Sequence, residues 1–350
     1  MEQLIDQFGE PKLLMASGAG VGLVFGATAY HSRFCLRAAT VEVAQLSFGP
    51  KLAIWLVAFA AGLAMVQIAI LSGHLDVSTA RQLAGTGSLS GAVTGGLLFG
   101  IGMILARGCA SRLLVLSASG NLRTIVTGLV LTLTAQASYR GVLAPMREKL
   151  AGIWTVSGGS ERLLLETTPV VGIACGLALL GALAFGMSQN LRKSELLSAA
   201  LVGTAVFAGW FLTYRVAAVS FEVVPIQSIT FTGPSADTLM ALVNERVLPM
   251  SFGLGLVPGV FTGALSVALV TGEAKIQRFE ADTPMEKYLA GGVLMGFGSM
   301  LAGGCAVGAG MSGGAILALT AWVAVFCMWI GAIGTHVLMT WGRDARSVNS

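Results

Sequence analysis

Charged residues along this chain come in short bursts, separated by long uncharged runs. The uncharged windows fall at 13–30, 52–75, 82–106, 124–139, 167–191, 196–214, 247–272 and 288–342. A helix that crosses the hydrocarbon core of a bilayer needs about 20 predominantly apolar residues, so most of these windows predict one crossing each. The last is 55 residues long, and its middle, Gly303 to Gly314, holds six glycines. It reads as two helices joined by an irregular segment. The pattern predicts an all-α polytopic membrane protein with about nine transmembrane helices plus some half-helices. The whole chain, 1–350, reads as one integral membrane domain. A repeat-like first half covers about 13–139, middle helices 167–214, and a repeat-like second half 247–340. Polar connections fall at 140–166, 215–246 and 273–287, and basic residues occupy loops of both parities, so positive-inside counting assigns no orientation. Residues 1–12 contain Glu2, Asp6 and Glu10 and lack the basic n-region of a signal peptide.

Composition agrees with the windows. The chain is 55% hydrophobic and 11% charged, with a mean hydropathy of +0.81, whereas soluble chains carry about 25% charged residues. That excludes an ordinary water-exposed globular surface, a disordered chain and a coiled coil. A net charge of +4, scattered along the sequence, is too small for a nucleic-acid face.

The halves share a motif. Residues 95–110 read GGLLFGIGMILARGCA and residues 291–306 read GGVLMGFGSMLAGGCA, identical at ten of sixteen positions without a gap. A weaker echo links GLVFGA at 22–27 with GLVPGV at 255–260. Internal repeats in membrane transporters place the substrate path at the repeat interface, lined by broken helices. The Gly- and Ser-rich residues after Cys109 and Cys305 suit irregular backbone, which membrane depth tolerates only when it is buried in protein or lines a polar path. A helix that stops there presents its dipole end to the path, and an N-terminus would suit an anion. The sequence leaves open which end does so.

Charge narrows the cargo. No Asp or Glu occurs at 11–41, 77–147 or 287–343, the windows that hold Cys35, Cys109 and Cys305, yet Arg33, Arg37, Arg107 and Arg112 remain beside two of those cysteines. Apolar helices exclude acids in any case, but that does not explain retained arginines. An anion fits better than a cation or a proton relay.

Cys175, in VVGIACGLALL, and Cys327, beside Met328 and Trp329, read as small hydrophobes. Cys35, Cys109 and Cys305 instead lie at breaks next to Arg or Gly. Metal binding and dithiol exchange both lack a C-x-x-C pair, and His31, His74 and His336 have no metal-ligand spacing. Protonated thiols in apolar surroundings can act as weak donors to a soft sulfur atom, and weak successive contacts let an ion enter and leave. The candidate substrate-contacting residues are Cys35, Cys109 and Cys305, with Arg107, Gly108, Ser111 and Gly304 beside them; no cofactor or metal is expected.

With R-F-C-L at 33–36, G-x-G-x-x-L-A-x-G-C-A at 100–110, and G-x-G-x-x-L-A-G-G-C at 296–305 followed by Gly308, Gly310 and Gly313, the chain resembles the YeeE/YedE family of sulfur-compound transporters. The resemblance implies thiosulfate uptake through Cys35, Cys109 and Cys305 by S–H···S hydrogen bonds. It also implies an hourglass-shaped helical fold in the cell inner membrane and a small cytoplasmic sulfur-carrier protein as partner. Two departures stand out: Arg107 occupies the position of Gly303 in the second half, and Arg112 stands where glycine is common in the family. Two other classes remain to be weighed. One is a membrane sulfur-transfer enzyme using a cysteine persulfide, with His31 as its sole nearby base. The other is a structural subunit with incidental thiols. Transport of another sulfur or selenium compound is the alternative within the favoured class.

Overall fold

A computed structural model describes residues 5, 7–220, 222–279 and 284–348, with side chains as far as Trp341. Glu2 and Asp6, on which the reading of the N-terminus partly rests, lie outside the described residues. Helix accounts for 73% of the structure. In order come α1 (Glu10–His31), α2 (Leu36–Ala44), α3 (Pro50–Leu71), the single-turn α4 (Arg81–Ala84), α5 (Leu89–Leu105), α6 (Ala110–Ala118) and α7 (Leu122–Arg140). Then follow α8 (Ala144–Ala151), α9 (Pro169–Ser188), α10 (Lys193–Ala217), α11 (Thr232–Asn244), α12 (Phe252–Val270), α13 (Met285–Leu301), a π-helical segment (Ala306–Gly313) and α14 (Leu319–Val348).

Local chemistry sets the helix starts. Proline opens α1, α3, α8 and α9, where its missing N–H costs nothing. Ser88, Asn121 and Ser251 cap α5, α7 and α12 through side-chain oxygens. The carboxylate of Glu42 accepts the amides of Lys51 (3.1 Å) and Leu52 (2.8 Å) at the start of α3, which makes it a structural cap. Two short strands, Gly87–Ser88 and Thr155–Val156, pair antiparallel. They tie the 140–166 connection to the start of α5, so that helix begins at Leu89 rather than at the head of the 82–106 window. Arg162 fastens the same corner, donating to the carbonyls of Gly85 (2.7 Å) and Arg81 (3.2 Å) and to Thr320 Oγ1 (2.7 Å).

Among the described residues, eight helical stretches are long and apolar enough to cross a membrane. The window at 124–139 forms a full helix, α7, but its threonines, Gln136 and Ser138 keep it outside that set. α9 is peripheral, with Val170, Ile173, Leu177 and Leu180 all exposed to the surroundings.

Lipid tails are as apolar as leucine, so helices inside a bilayer associate through close packing of small residues. α1 and α12 run parallel in this way. A Cβ on Gly18, Gly22 or Gly26 would press on the backbone at Phe252, Leu256 or Val260, and one on Gly255, Gly259 or Gly263 on the backbone at Met15, Ala19 or Leu23. α5 and α13 run antiparallel, Gly95 facing Gly298 and Gly102 facing Gly291. In the repeat, Gly95 corresponds to Gly291 and Gly102 to Gly298, so equivalent glycines exchange places across the pair. α7 lies against the opposite side of α13, with Gly292 over Thr127 and Gly296 over Leu131.

Candidate functional site

The same local structure occurs three times. The helices α1, α5 and α13 each end in a residue of left-handed backbone two positions before a cysteine: Arg33 (φ 54°), Arg107 (φ 53°) and Gly303 (φ 80°). In each, an amide reaches back five residues to close the helix end: Phe34 to Ala29 (3.1 Å), Gly108 to Met103 (3.1 Å) and Gly304 to Ser299 (2.9 Å). The cysteine that follows is extended and serves as N-cap of the next segment, α2 at Cys35, α6 at Cys109 and the π segment at Cys305. Its carbonyl accepts the first helical amide, from Ala39 (3.3 Å), Leu113 (2.9 Å) or Ala309 (2.8 Å). All three cysteines therefore sit at helix N-termini, the ends that carry unpaired N–H groups and positive potential.

Sulfur is a weak acceptor, and it caps poorly here. Cys305 Sγ accepts the Gly308 amide at a long 3.5 Å, and the Cys35 and Cys109 sulfurs meet the amides of Ala38 and Arg112 in the first turns of their own helices. Ser111 Oγ lies 3.3 Å from Cys109 Sγ. The three side chains are free thiols and buried, with exposures of 9%, 1% and 1% for Cys35, Cys109 and Cys305.

The structure divides the three. The Cys35 and Cys109 thiols are side-chain partners. Cys305 follows α13, whose C-terminus lies at the far end of the antiparallel pair from that of α5. At 1.5 Å per residue the two helix ends are separated by roughly 20 Å along the pair. α6 packs against the π segment and so joins the two levels.

The surroundings of the two levels differ. Beside Cys35 and Cys109 stand Arg33, Arg37, Arg107 and Arg112. Arg33 pairs with Glu273 at 3.5 Å, and Tyr30 donates to the same carboxylate at 2.9 Å. Arg107 is exposed, while Gly108 is buried beneath it against Arg112 and Leu113. On the Cys305 side a cavity of about 600 Å³ reaches Gly303 and Gly304 and is lined by Gln136, Arg140, Gln227, Thr230, Asp237 and Ser299. Asp237 lies on α11, which is not among the candidate spans; burial raises its carboxyl above the usual range, against an opposing pull from Arg140 and Arg81.

Several participants escaped the sequence reading. Residues 222–231 form an irregular stretch whose Ile226, Ser228, Ile229 and Phe231 are buried. With Trp210 of α10 it clamps the π segment: Ser312 donates to the carbonyl of Ile229 (2.6 Å), Trp210 Nε1 donates to the carbonyl of Ser312 (3.2 Å), and a Cβ on Gly308 would strike Thr230. A short mixed stretch inside the long 215–246 connection carries no periodicity to reveal this. Cys175 packs with Leu63, Ala64 and Leu317, and Cys327 lies against Gly96. His31 is exposed.

Residues 31–334 match the family described as sulphur transport. The chain is 25% identical over 351 residues to the thiosulfate transporter TsuA of Escherichia coli (strain K12), covering 91% of this chain and 92% of that protein. It is 26% identical over 329 residues to the thiosulfate transporter TsuA of Spirochaeta thermophila, covering 90% and 96% respectively. The broken helices, the buried thiols at their restarts and a match across most of the length converge: the chain belongs to the sulphur transport (YeeE/YedE) family and is a multi-pass membrane transporter of a sulfur compound.

Proposed function

We propose that the protein takes up thiosulfate, or a closely related sulfur anion, across the cell inner membrane, and that Cys35, Cys109 and Cys305 hand the ion along by S–H···S hydrogen bonds. The observation that carries this reading is the threefold recurrence of one unit, a left-handed break followed by a buried cysteine at a helix N-terminus. A thiol that keeps its proton would not repel the ion, and its contact is weak enough to be exchanged at the next station. Unpaired amides at the same point favour negative charge. Arg107, Gly108 and Ser111 frame the first level and Gly304 the second. The printed names of the two relatives support the choice of thiosulfate. The repeat-like halves flanking the middle helices fit a path at their interface, as the exchange of equivalent glycines between α5 and α13 suggests. A small cytoplasmic sulfur-carrier protein as acceptor rests on the family resemblance.

Single replacements test the path. Cys35→Ala, Cys109→Ala and Cys305→Ala are each expected to abolish growth on thiosulfate as sole sulfur source and uptake of labelled thiosulfate into vesicles. Cys175→Ala and Cys327→Ala should behave as the parent. Equal tolerance at all five positions would remove the thiols from the mechanism.

A further inference from the structure

The first level contains donors that nothing among the described residues satisfies. Arg37 Nε, Arg112 Nη1 and Arg123 Nε are buried nitrogens without a hydrogen-bond partner among the described residues, and so is the hydroxyl of Tyr288. A buried orphan donor to a charged group costs more than an ordinary lost hydrogen bond, and native structures leave few of them. Here they gather in one place. Arg37, in the first turn of α2, lies within electrostatic range of Cys35, Arg107 and Tyr288; Arg112, in the first turn of α6, lies within range of Cys35 and Tyr30. The Arg123 guanidinium sits 4.8 Å from the centroid of the Tyr288 ring. Glu273, the nearby carboxylate, is already engaged by Arg33 and Tyr30. The cluster therefore holds a surplus of positive charge and donors beside the thiol pair.

The geometry points to an oxyanion cradle in which Arg37 and Arg112, supported by the Arg123–Tyr288 pair, hold the charged oxygens of the transported ion while Cys35 and Cys109 meet its soft end. The inference rests on the transporter reading and deepens it: the two ends of the ion are read by different groups. Guanidinium forks grip a trioxide head through charge-assisted hydrogen bonds and are indifferent to the fourth substituent on its sulfur. Thiols distinguish that substituent. The cradle sets affinity for sulfur oxyanions as a class, and the thiol pair selects within the class. A phospholipid headgroup shares the head chemistry, but the orphan nitrogens are buried next to thiols, a place for a small ion.

The test compares Arg37→Gln, Arg112→Gln and Arg37→Lys with the parent in vesicles of pure phosphatidylcholine, following labelled thiosulfate with unlabelled sulfite and sulfate as competitors. Each Gln variant should raise the thiosulfate KM by about tenfold or more, the effect of losing a hydrogen bond to a charged group, with the maximal rate retained. Competition by sulfite and sulfate should weaken by a similar factor. Arg37→Lys keeps the charge without the Nε–H and should fall in between. An unchanged KM, or a fall in maximal rate alone in variants that elute and melt like the parent, overturns the cradle. So does a KM shift that appears only when phosphatidylglycerol is added, which would assign the arginines to headgroups. If the parent takes up no thiosulfate, the transport reading fails, and binding of sulfate to the purified protein still decides the cradle: equal affinity in parent and Arg37→Gln overturns it.

Discussion

Asp237 is the residue whose ionisation the fold disturbs most informatively. It faces the Cys305-side cavity, where partial desolvation raises its carboxyl above the usual range despite Arg140 and Arg81. A carboxyl whose folded pKa lies above its unfolded one favours the folded state at low pH, and that contribution is lost as pH rises from the unfolded value of about 4 through the folded one. Asp237→Asn removes the loss. The variant should melt at a higher temperature than the parent at pH 7, with the difference closing as pH falls toward about 4. Thermal melts across that range would show it; a gap independent of pH would locate the effect elsewhere. In sequence, Asp237 is one charged residue in the polar 215–246 connection, and nothing local tells a carboxylate on a cavity wall from one in open solvent.

Among the elements, the three helix breaks are the informative units, and much of them could be read in advance. G-C pairs at 108–109 and 304–305 and the R-F-C run at 33–35 marked where regular helix had to stop. What the letters could not state is backbone handedness. Arg107 adopts at φ 53° a conformation that Gly303 adopts at no steric cost, while an L-residue is penalised there by about 1–2 kcal/mol. Arg107→Gly should raise thermal stability by about 0.5–1 kcal/mol. Gly303→Val, placing a β-branched side chain in the same region, should lower it by about 2 kcal/mol. Chemical or thermal unfolding in detergent measures both, and a Gly303→Val protein as stable as the parent would contradict the left-handed assignment. The pairing of Cys35 with Cys109, and the separation of Cys305 from both, depended on which way α5 and α13 cross. The sequence repeat did not specify that.

At the scale of the whole molecule, assembly relies on surface shape rather than on hydrophobic segregation. The uncharged windows revealed the helices, and their glycines hinted at contact, but not which glycines matter. The structure separates neighbours. A Cβ on Gly22 would lie 2.4 Å from the carbonyl oxygen of Leu256, whereas one on Gly20 meets nothing within 4 Å. Gly22→Ala should therefore force α1 from α12 at a cost of about 1–3 kcal/mol, as overpacking does, while Gly20→Ala should be neutral or slightly stabilising. Melting temperatures of the two variants side by side check this directly. Equal tolerance would mean that the helices can part without penalty.

Placing cysteine at the head of α2, α6 and the π segment has one more consequence. A serine or aspartate in those positions would satisfy the leading amides itself, and an arriving ion would find its seat taken by the protein. Sulfur, a weak acceptor, holds those amides only loosely. On the proposed path, a helix cap that performs badly by the ordinary standard of stability would be an advantage, since its amides would exchange a sulfur for an anion's oxygen at little cost.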